Sequence, residues 1–453
     1  MADEVVDVVV VGMGVGGEEV AGRLAVAGLS VVGIEHRLVG GECPYWGCVP
    51  SKMMIRAGNA LAEARRVAGL AGAATVEPDW APVAKRIRAE ATDDWDDTVA
   101  VDRFTGKGGR FVRGYGRLVG PGRVLVDERV FQARTGIVLG VGTAPAVPPI
   151  DGLAGTPYWT NREAIEADRL PGSLLVLGGG AIGLELAQVF TRFGVAVTVV
   201  EALDRLLALE EPESAALAAA VFERDGIAVH TGARAARVEH DGEQFTLTLA
   251  DGRSLTAERL LVATGRTANL DDLGLDTVGH PGPARFLAVD EWLRAGDRLW
   301  GVGDVTGHGA FTHVAMYQAD VVVRDILGQG GPAADYRALP RVTFTDPEIG
   351  AVGLTEAQAR ERGVPVRTGY ADLTRSARGW IHKVGNEGFI KLVADTDRAV
   401  LVGATSAGPA GGEVLGALAV AVHAQVPLAA LRSMMYAYPT FHRAIEDALR
   451  DLG

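Results

Sequence analysis

VVDVVVVGMGVGGEEVAGRLAVAGLSVVGIE, residues 5–35, changes its pattern twice. The apolar run VVDVVVVG reads as a strand. It enters Gly12-Met-Gly14-Val-Gly-Gly17, continues into a helical stretch to about Ala27, and ends in a second strand, SVVGIE, at Glu35. This is a β-turn-α-β unit with the spacing of a dinucleotide-binding fingerprint. Gly12 makes the tight turn, Gly14 lets the backbone approach a pyrophosphate, and Gly17 lets helix and strand pack closely. Glu35 stands where a carboxylate binds a ribose hydroxyl.

A second copy begins at residue 173, in SLLVLGGGAIGLELAQVFTRFGVAVTVVEALDRLL. It carries Gly178, Gly180 and Gly183 and a strand ending at Glu201. Two copies point to two dinucleotides. Glu201 also bears on which nicotinamide is used. A 2′-phosphate at about 4 Å from a carboxylate, at an effective dielectric near 20, is repelled by about 4 kcal/mol. That is roughly a thousandfold in binding. Arg205 is the one base close by in Ala202-Leu203-Asp204-Arg205. The expectation is NADH rather than NADPH.

With 453 residues the chain is long enough for roughly two to four domains. Its net charge of −13 repels phosphates, so neither nucleic acid nor an anionic membrane surface is expected as a partner. No basic region precedes the N-terminal apolar run, and the run is too short for a signal peptide or a membrane span. A cytoplasmic location follows as an expectation.

Both cysteines, Cys43 and Cys48, fall in GGECPYWGCVPSKMM, residues 40–54. In a reducing compartment a close pair reads as redox-active rather than structural. Two thiols are half a zinc site, so no metal is expected. A bridge across so short a loop removes little unfolded-chain entropy, which weakens a purely structural reading. Residues five apart in a regular helix have Cα atoms about 8.6 Å apart, beyond the roughly 4.4–6.8 Å of a disulfide. The pair therefore cannot lie wholly inside one helix. Pro44 is expected to push Cys43 out of α geometry and Gly47 to allow a sharp turn. Pro50 suits the first turn of a helix starting near Cys48, where a thiol reacts more readily.

Taken in order, these elements resemble the FAD-dependent pyridine nucleotide-disulfide oxidoreductases, a family that includes dihydrolipoamide dehydrogenase, glutathione reductase and mercuric reductase. The resemblance covers nearly the whole chain. It implies an α/β fold with two Rossmann-like dinucleotide-binding domains, for FAD and NAD, and a C-terminal α+β dimerisation domain. The implied boundaries are 1–146 and 266–335 for the FAD domain, 147–265 for the NAD domain and 336–453 for the interface domain of a homodimer. Gly140-Val-Gly142-Thr-Ala-Pro145 and Ala263-Thr-Gly265-Arg266 are similar to the family's exits from its two nucleotide domains, and Gly301-Val-Gly-Asp304 to its second FAD motif. Gly142, Asp304 and Gly265 are thereby implied as cofactor-binding, and Gly116 is expected to be so as well. The resemblance makes Cys48 the thiol against the flavin and Cys43 the interchange thiol. It puts Lys52 near flavin N5, paired with Glu185.

The resemblance fails at the C-terminal motif and in the cysteine loop. Where the family carries His-Pro-Thr-x-x-Glu, this chain reads Tyr438-Pro439-Thr440-Phe441-His442-Arg443. Tyr438 takes the place of the acid–base histidine, and Arg443 takes that of its orienting glutamate and removes a capping box. A phenol with a pKa near 10 is a poor proton shuttle at neutral pH. His442, with Glu446 four residues on, is the alternative base, although a helix-surface pair is the plainer reading. The resemblance to mercuric reductase implies a second cysteine pair at the C-terminus to collect the metal; no cysteine follows Cys48 here, so mercury reduction is not expected. Glu42 replaces a threonine and would raise the pKa of Cys43, and Tyr45-Trp46 would reshape the substrate mouth. The expected function is hydride transfer from NADH through FAD to the Cys43–Cys48 disulfide, then to a small disulfide or other acceptor. Two alternatives remain: a quinone, dye or oxygen reductase with a dispensable disulfide, and a flavin-bound structural or regulatory component.

Overall fold

The computed structural model describes residues 3–280 and 285–453. They divide into two compact units, each made of three separated segments. The first unit comprises 1–51, 85–146 and 266–335; the second comprises 52–84, 147–265 and 336–453.

In the first unit, described residues form a sheet in the order Arg294–Gly296, Leu299–Gly301, Arg129–Leu139, Glu4–Val11, Val31–Glu35, Arg110–Arg113. From Leu299–Gly301 to Arg110–Arg113 every pairing is parallel. The valine run explains itself here. Val8 and Val10 pack into one core layer with Met13, Val20 and Leu24. Val9 and Val11 face the other way, with Phe131, Ile137 and Leu139. Side chains alternate along a strand, so a strand covered on both faces needs apolar residues at every position. The helix Val15–Val26 lies over this sheet beside the helix Thr312–Ile326. A Cβ on Gly16 would come within 3.3 Å of Ala315 Cβ, so glycine permits the approach. The strand Thr143–Pro145 pairs antiparallel with Arg266–Ala268, which joins the two exit motifs of the sequence in one ribbon.

The second unit repeats the nucleotide-binding pattern. Its parallel sheet runs Ala228–His230, Ala196–Val200, Ser173–Leu177, Arg259–Val262, with the helix Ala181–Arg192 following the glycine turn. An antiparallel meander, Ala235–His240, Phe245–Leu249 and Ser254–Ala257, accompanies it. Residues after 336 form an antiparallel sheet in the order Pro340–Thr343, Glu348–Gly353, Val400–Gly408, Phe389–Asp395, Val366–Asp372. The helices Gly411–His423 and Ala444–Asp451 supply Leu415, Leu418, Ile445 and Leu449 to its core. No described helix is long and apolar enough to cross a membrane.

Candidate functional site

The two glycine turns are built alike. Gly12 lies at φ +89° and Gly178 at φ +114°, in the left-handed region that favours glycine. A Cβ on Gly17 would collide with Gly12 O, and one on Gly183 with Gly178 O. The middle glycines differ. A Cβ on Gly14 would meet only Gly140 O, at 3.9 Å, and one on Gly180 nothing within 4 Å. Both are extended N-cap residues of the following helix. Bare backbone therefore borders the first N–H groups of each helix, a cradle that fits a pyrophosphate.

The acids close each turn. Glu35 is buried and accepts from Met13 N at 2.9 Å and Arg37 N at 2.8 Å, with His36 Nδ1 at 3.2 Å. Burial pushes its carboxyl up, but these bonds outweigh it and hold the group below its ordinary range. Glu201 accepts in the same way, from Gly179 N at 2.6 Å and Leu203 N at 2.7 Å. Each carboxylate thus braces its glycine loop, a role the spacing did not reveal. The guanidinium of Arg205 donates to the carbonyls of Ala208, at 2.8 Å, and Glu210, at 2.9 Å, within its own loop.

The other residues expected to bind FAD, Gly116, Gly142 and Asp304, also lie in the first unit. Gly116 packs beside the ends of the first two strands, where a Cβ would meet Val11 Cγ1 at 2.9 Å. The carbonyl of Gly142 accepts from Asn269 N at 3.1 Å. The Thr143 hydroxyl donates to Asp304 Oδ2 at 2.9 Å and accepts from Arg266 Nε at 2.6 Å. Burial raises the Asp304 carboxyl above its ordinary value despite the Thr143 bond and the Arg266 charge. Arg266 Nη2 stands 3.6 Å from Glu42 Oε2. The negative charge expected beside Cys43 therefore has a counter-charge, supplied from a motif 224 positions away. Gly265, at φ +122°, ends the nucleotide part of the second unit.

The cysteine turn departs from expectation at Cys43. Glu42–Tyr45 form one helical turn that includes Cys43 and Pro44, and Trp46 N donates to Glu42 O at 2.8 Å. Pro44 is tolerated because a first helical turn has no intrahelical use for its missing N–H. Gly47 does not take a left-handed conformation; its lack of Cβ admits Glu42 O, which one would meet at 3.0 Å. The chain then restarts as the helix Cys48–Arg65, with Pro50 in its first turn. Cys48 Sγ lies 3.2 Å from the hydroxyl of Thr312, the first residue of the helix Thr312–Ile326. Two helix N-termini thus meet at this sulfur, and their dipoles favour negative charge there. Thr312 carried no signal in the sequence. Tyr45 does not line a mouth: it is buried, and its hydroxyl points to Asp96 O at 3.4 Å. Burial, with Asp97 and Glu18, pushes its phenol up to about 12. Asp97 anchors the approach to the turn by accepting from Val39 N at 2.7 Å and pairing with Arg113.

In the second unit Lys52 Nζ meets Glu185 Oε2 at 2.8 Å. The C-terminal motif is different again. Tyr438 is 70% exposed, with the Arg443 guanidinium 5.6 Å from its ring centre. Glu446 gives one oxygen to Arg443, at 2.7 Å, and the other to Arg450. Among the described residues no hydrogen bond joins His442 to Glu446, whose two oxygens pair with arginines. The helix here starts only at Ala444, with no side-chain cap, as loss of the capping box implies.

The chain resembles known proteins in sequence and in fold. The chain is 34% identical over 463 aligned residues to a mercuric reductase of Streptomyces lividans, covering 98% of this chain and 95% of that one. It is 31% identical to a dihydrolipoyl dehydrogenase of Thermus scotoductus, covering 98% and 97%. The crystal structure of LpdA from Mycobacterium tuberculosis superposes with a TM-score of 0.86 at 27% identity, covering 99% of this chain and 100% of that one. Residues 6–319 match the family described as pyridine nucleotide-disulphide oxidoreductase, and residues 339–449 match its dimerisation domain. With two dinucleotide cradles, a cysteine turn between helices and both matches in sequence order, the chain belongs to the pyridine nucleotide-disulphide oxidoreductases, which use FAD and a pyridine nucleotide.

Proposed function

We propose that the protein is a homodimeric, NADH-dependent flavoprotein disulfide reductase whose redox pair is Cys43 and Cys48. The observation that carries this reading is the cysteine turn, which sets Cys48 at two helix N-termini in the same unit as the first glycine cradle. FAD, held by Gly12, Gly14, Gly17, Glu35, Gly116, Gly142 and Asp304, supplies two-electron acceptance from the nicotinamide. The second cradle, with Gly178, Gly180, Gly183, Glu201 and Gly265, binds NADH. Glu201 disfavours a 2′-phosphate, and the engagement of Arg205 with backbone carbonyls leaves that repulsion standing. Overall, NADH, a proton and the Cys43–Cys48 disulfide give NAD⁺ and two thiols. Cys43, as thiolate, then attacks the acceptor disulfide and expels one thiolate. Cys48 attacks the mixed disulfide, expels the second, and restores the intramolecular bond. Lys52, held by Glu185 at 2.8 Å, would supply positive charge to a flavin, the role that the resemblance implies for it.

Tyr438 favours a second acceptor class. Without a histidine–glutamate dyad, thiol exchange lacks a positioned base, whereas electron transfer to a quinone does not need one. The test is steady-state NADH and NADPH oxidation by the FAD-loaded enzyme against a panel of disulfides and quinones, with Cys43→Ser alongside. A higher kcat/KM for NADH is expected, together with disulfide reduction that Cys43→Ser abolishes. Equal kcat/KM for the two nicotinamides would sink the NADH assignment. Disulfide turnover that survives Cys43→Ser would remove the cysteine pair from the electron path.

A further inference from the structure

Glu185 is held at both oxygens. Oε2 takes Lys52 at 2.8 Å, and Oε1 accepts from the backbone N–H of Phe344, also at 2.8 Å. The ring of Phe344 in turn lies under the ammonium, its centre 4.6 Å from Lys52 Nζ. Three segments remote in sequence meet here: the helix Cys48–Arg65, the helix Ala181–Arg192 and the residue after the strand Pro340–Thr343. All three contacts lie within the second unit.

We propose that Phe344 is a positioning residue for Lys52. A carboxylate constrains an ammonium from one side. An aromatic face on a second side adds a constraint of its own, because the ring quadrupole attracts a cation only over the face. The backbone N–H of the same residue fixes Glu185, so one residue orients both members of the ion pair. The Glu185 side chain is only 7% exposed, so its orientation is set by these contacts rather than by solvent. This inference rests on the proposed role of Lys52 at the flavin.

The test compares wild-type, Lys52→Met, Phe344→Leu, Phe344→Met and Phe344→Tyr proteins carrying FAD, by flavin reduction potential and by NADH kinetics. Removing the Lys52 charge is expected to lower the potential, since positive charge stabilises the reduced flavin. Phe344→Leu keeps the backbone donor and most of the bulk but loses the ring. It is expected to shift the potential in the same direction by less, and to lower kcat roughly two- to fivefold with KM for NADH unchanged, the fold-change such a contact supports. Phe344→Met, which also lacks a ring, gives the same result, and Phe344→Tyr stays at wild type. The proposal is overturned if Lys52→Met shifts the potential and neither Phe344→Leu nor Phe344→Met does, or if Phe344→Tyr shifts it as far as Phe344→Leu. An unshifted Lys52→Met overturns the assigned role of Lys52, and this inference with it.

Discussion

At position 438 a phenol stands exposed, with an arginine across its ring instead of a glutamate behind an imidazole. A positioned general base is worth about 10²–10⁴-fold in a proton-transfer step. The double substitution Tyr438→His with Arg443→Glu is therefore expected to raise lipoamide turnover by about 10²-fold or more and to leave quinone reduction almost unchanged. Parallel assays with NADH and each acceptor measure both. His442→Ala is expected to change neither rate, because Glu446 is committed to Arg443 and Arg450. Loss of lipoamide activity in His442→Ala would instead make His442 the base. Among single residues, identity was legible where chemistry follows from type. Glu35, Glu201 and Asp304 each hold a buried or hydrogen-bonded carboxyl at a nucleotide motif. The charge balance of Glu42 was not legible, because Arg266 reaches it only through the fold.

At the scale of elements, the two β-turn-α-β units are governed by their third glycines. A Cβ on Gly17 or Gly183 overlaps the carbonyl of the first glycine in its own turn. Overpacking of this kind costs roughly 1–3 kcal/mol, or about 5- to 150-fold in binding. Gly183→Ala is expected to keep its yellow FAD while losing NADH affinity by that factor. Gly17→Ala is expected to purify with substoichiometric FAD. Flavin content by absorbance and NADH binding by titration check both, and loss of FAD from Gly183→Ala would reverse the cofactor assignment. The cysteine turn shows why element boundaries are harder to read than motifs. The preference of a residue before proline against α geometry is weak beside a first turn that needs no N–H from Pro44. Cys43 therefore joins a helical turn that its local sequence argues against.

Over the whole molecule, the second unit is fastened by buried ions that the sequence leaves scattered. Asp346 Oδ2 is shared by Arg66 and Arg192, each at 2.7 Å, while Asp346 N and O bond to Gln188. These contacts tie all three segments of the unit, and Lys391, among Glu211, Glu213 and Glu356, ties two of them again. Burial pushes the Asp346 carboxyl up, but Arg192 and Arg66 more than offset it and hold it below its ordinary range. A depressed folded-state pKa stabilises above the unfolded value of about 3.9 and stops doing so as pH falls through the folded value. Asp346→Ala is expected to lose about 3–5 kcal/mol at pH 7, because buried Arg192 loses its 2.7 Å partner and keeps Asp225 only at 3.8 Å. Denaturant unfolding at pH 7 and again below pH 4 measures this, and the gap between wild type and variant should narrow at the lower pH. A gap independent of pH would mean that lost packing, not the ion pair, is responsible. What the sequence by itself determined was each local unit: two glycine turns with their acids, the cysteine pair and the altered C-terminal motif, all set by contacts within a few dozen residues. Only the tertiary structure decided what faces them. Thr312 at Cys48, Arg266 at Glu42 and Phe344 at Lys52 come from strands and helices hundreds of residues away, and spacing along a chain carries no record of which distant side chain packing will bring into reach.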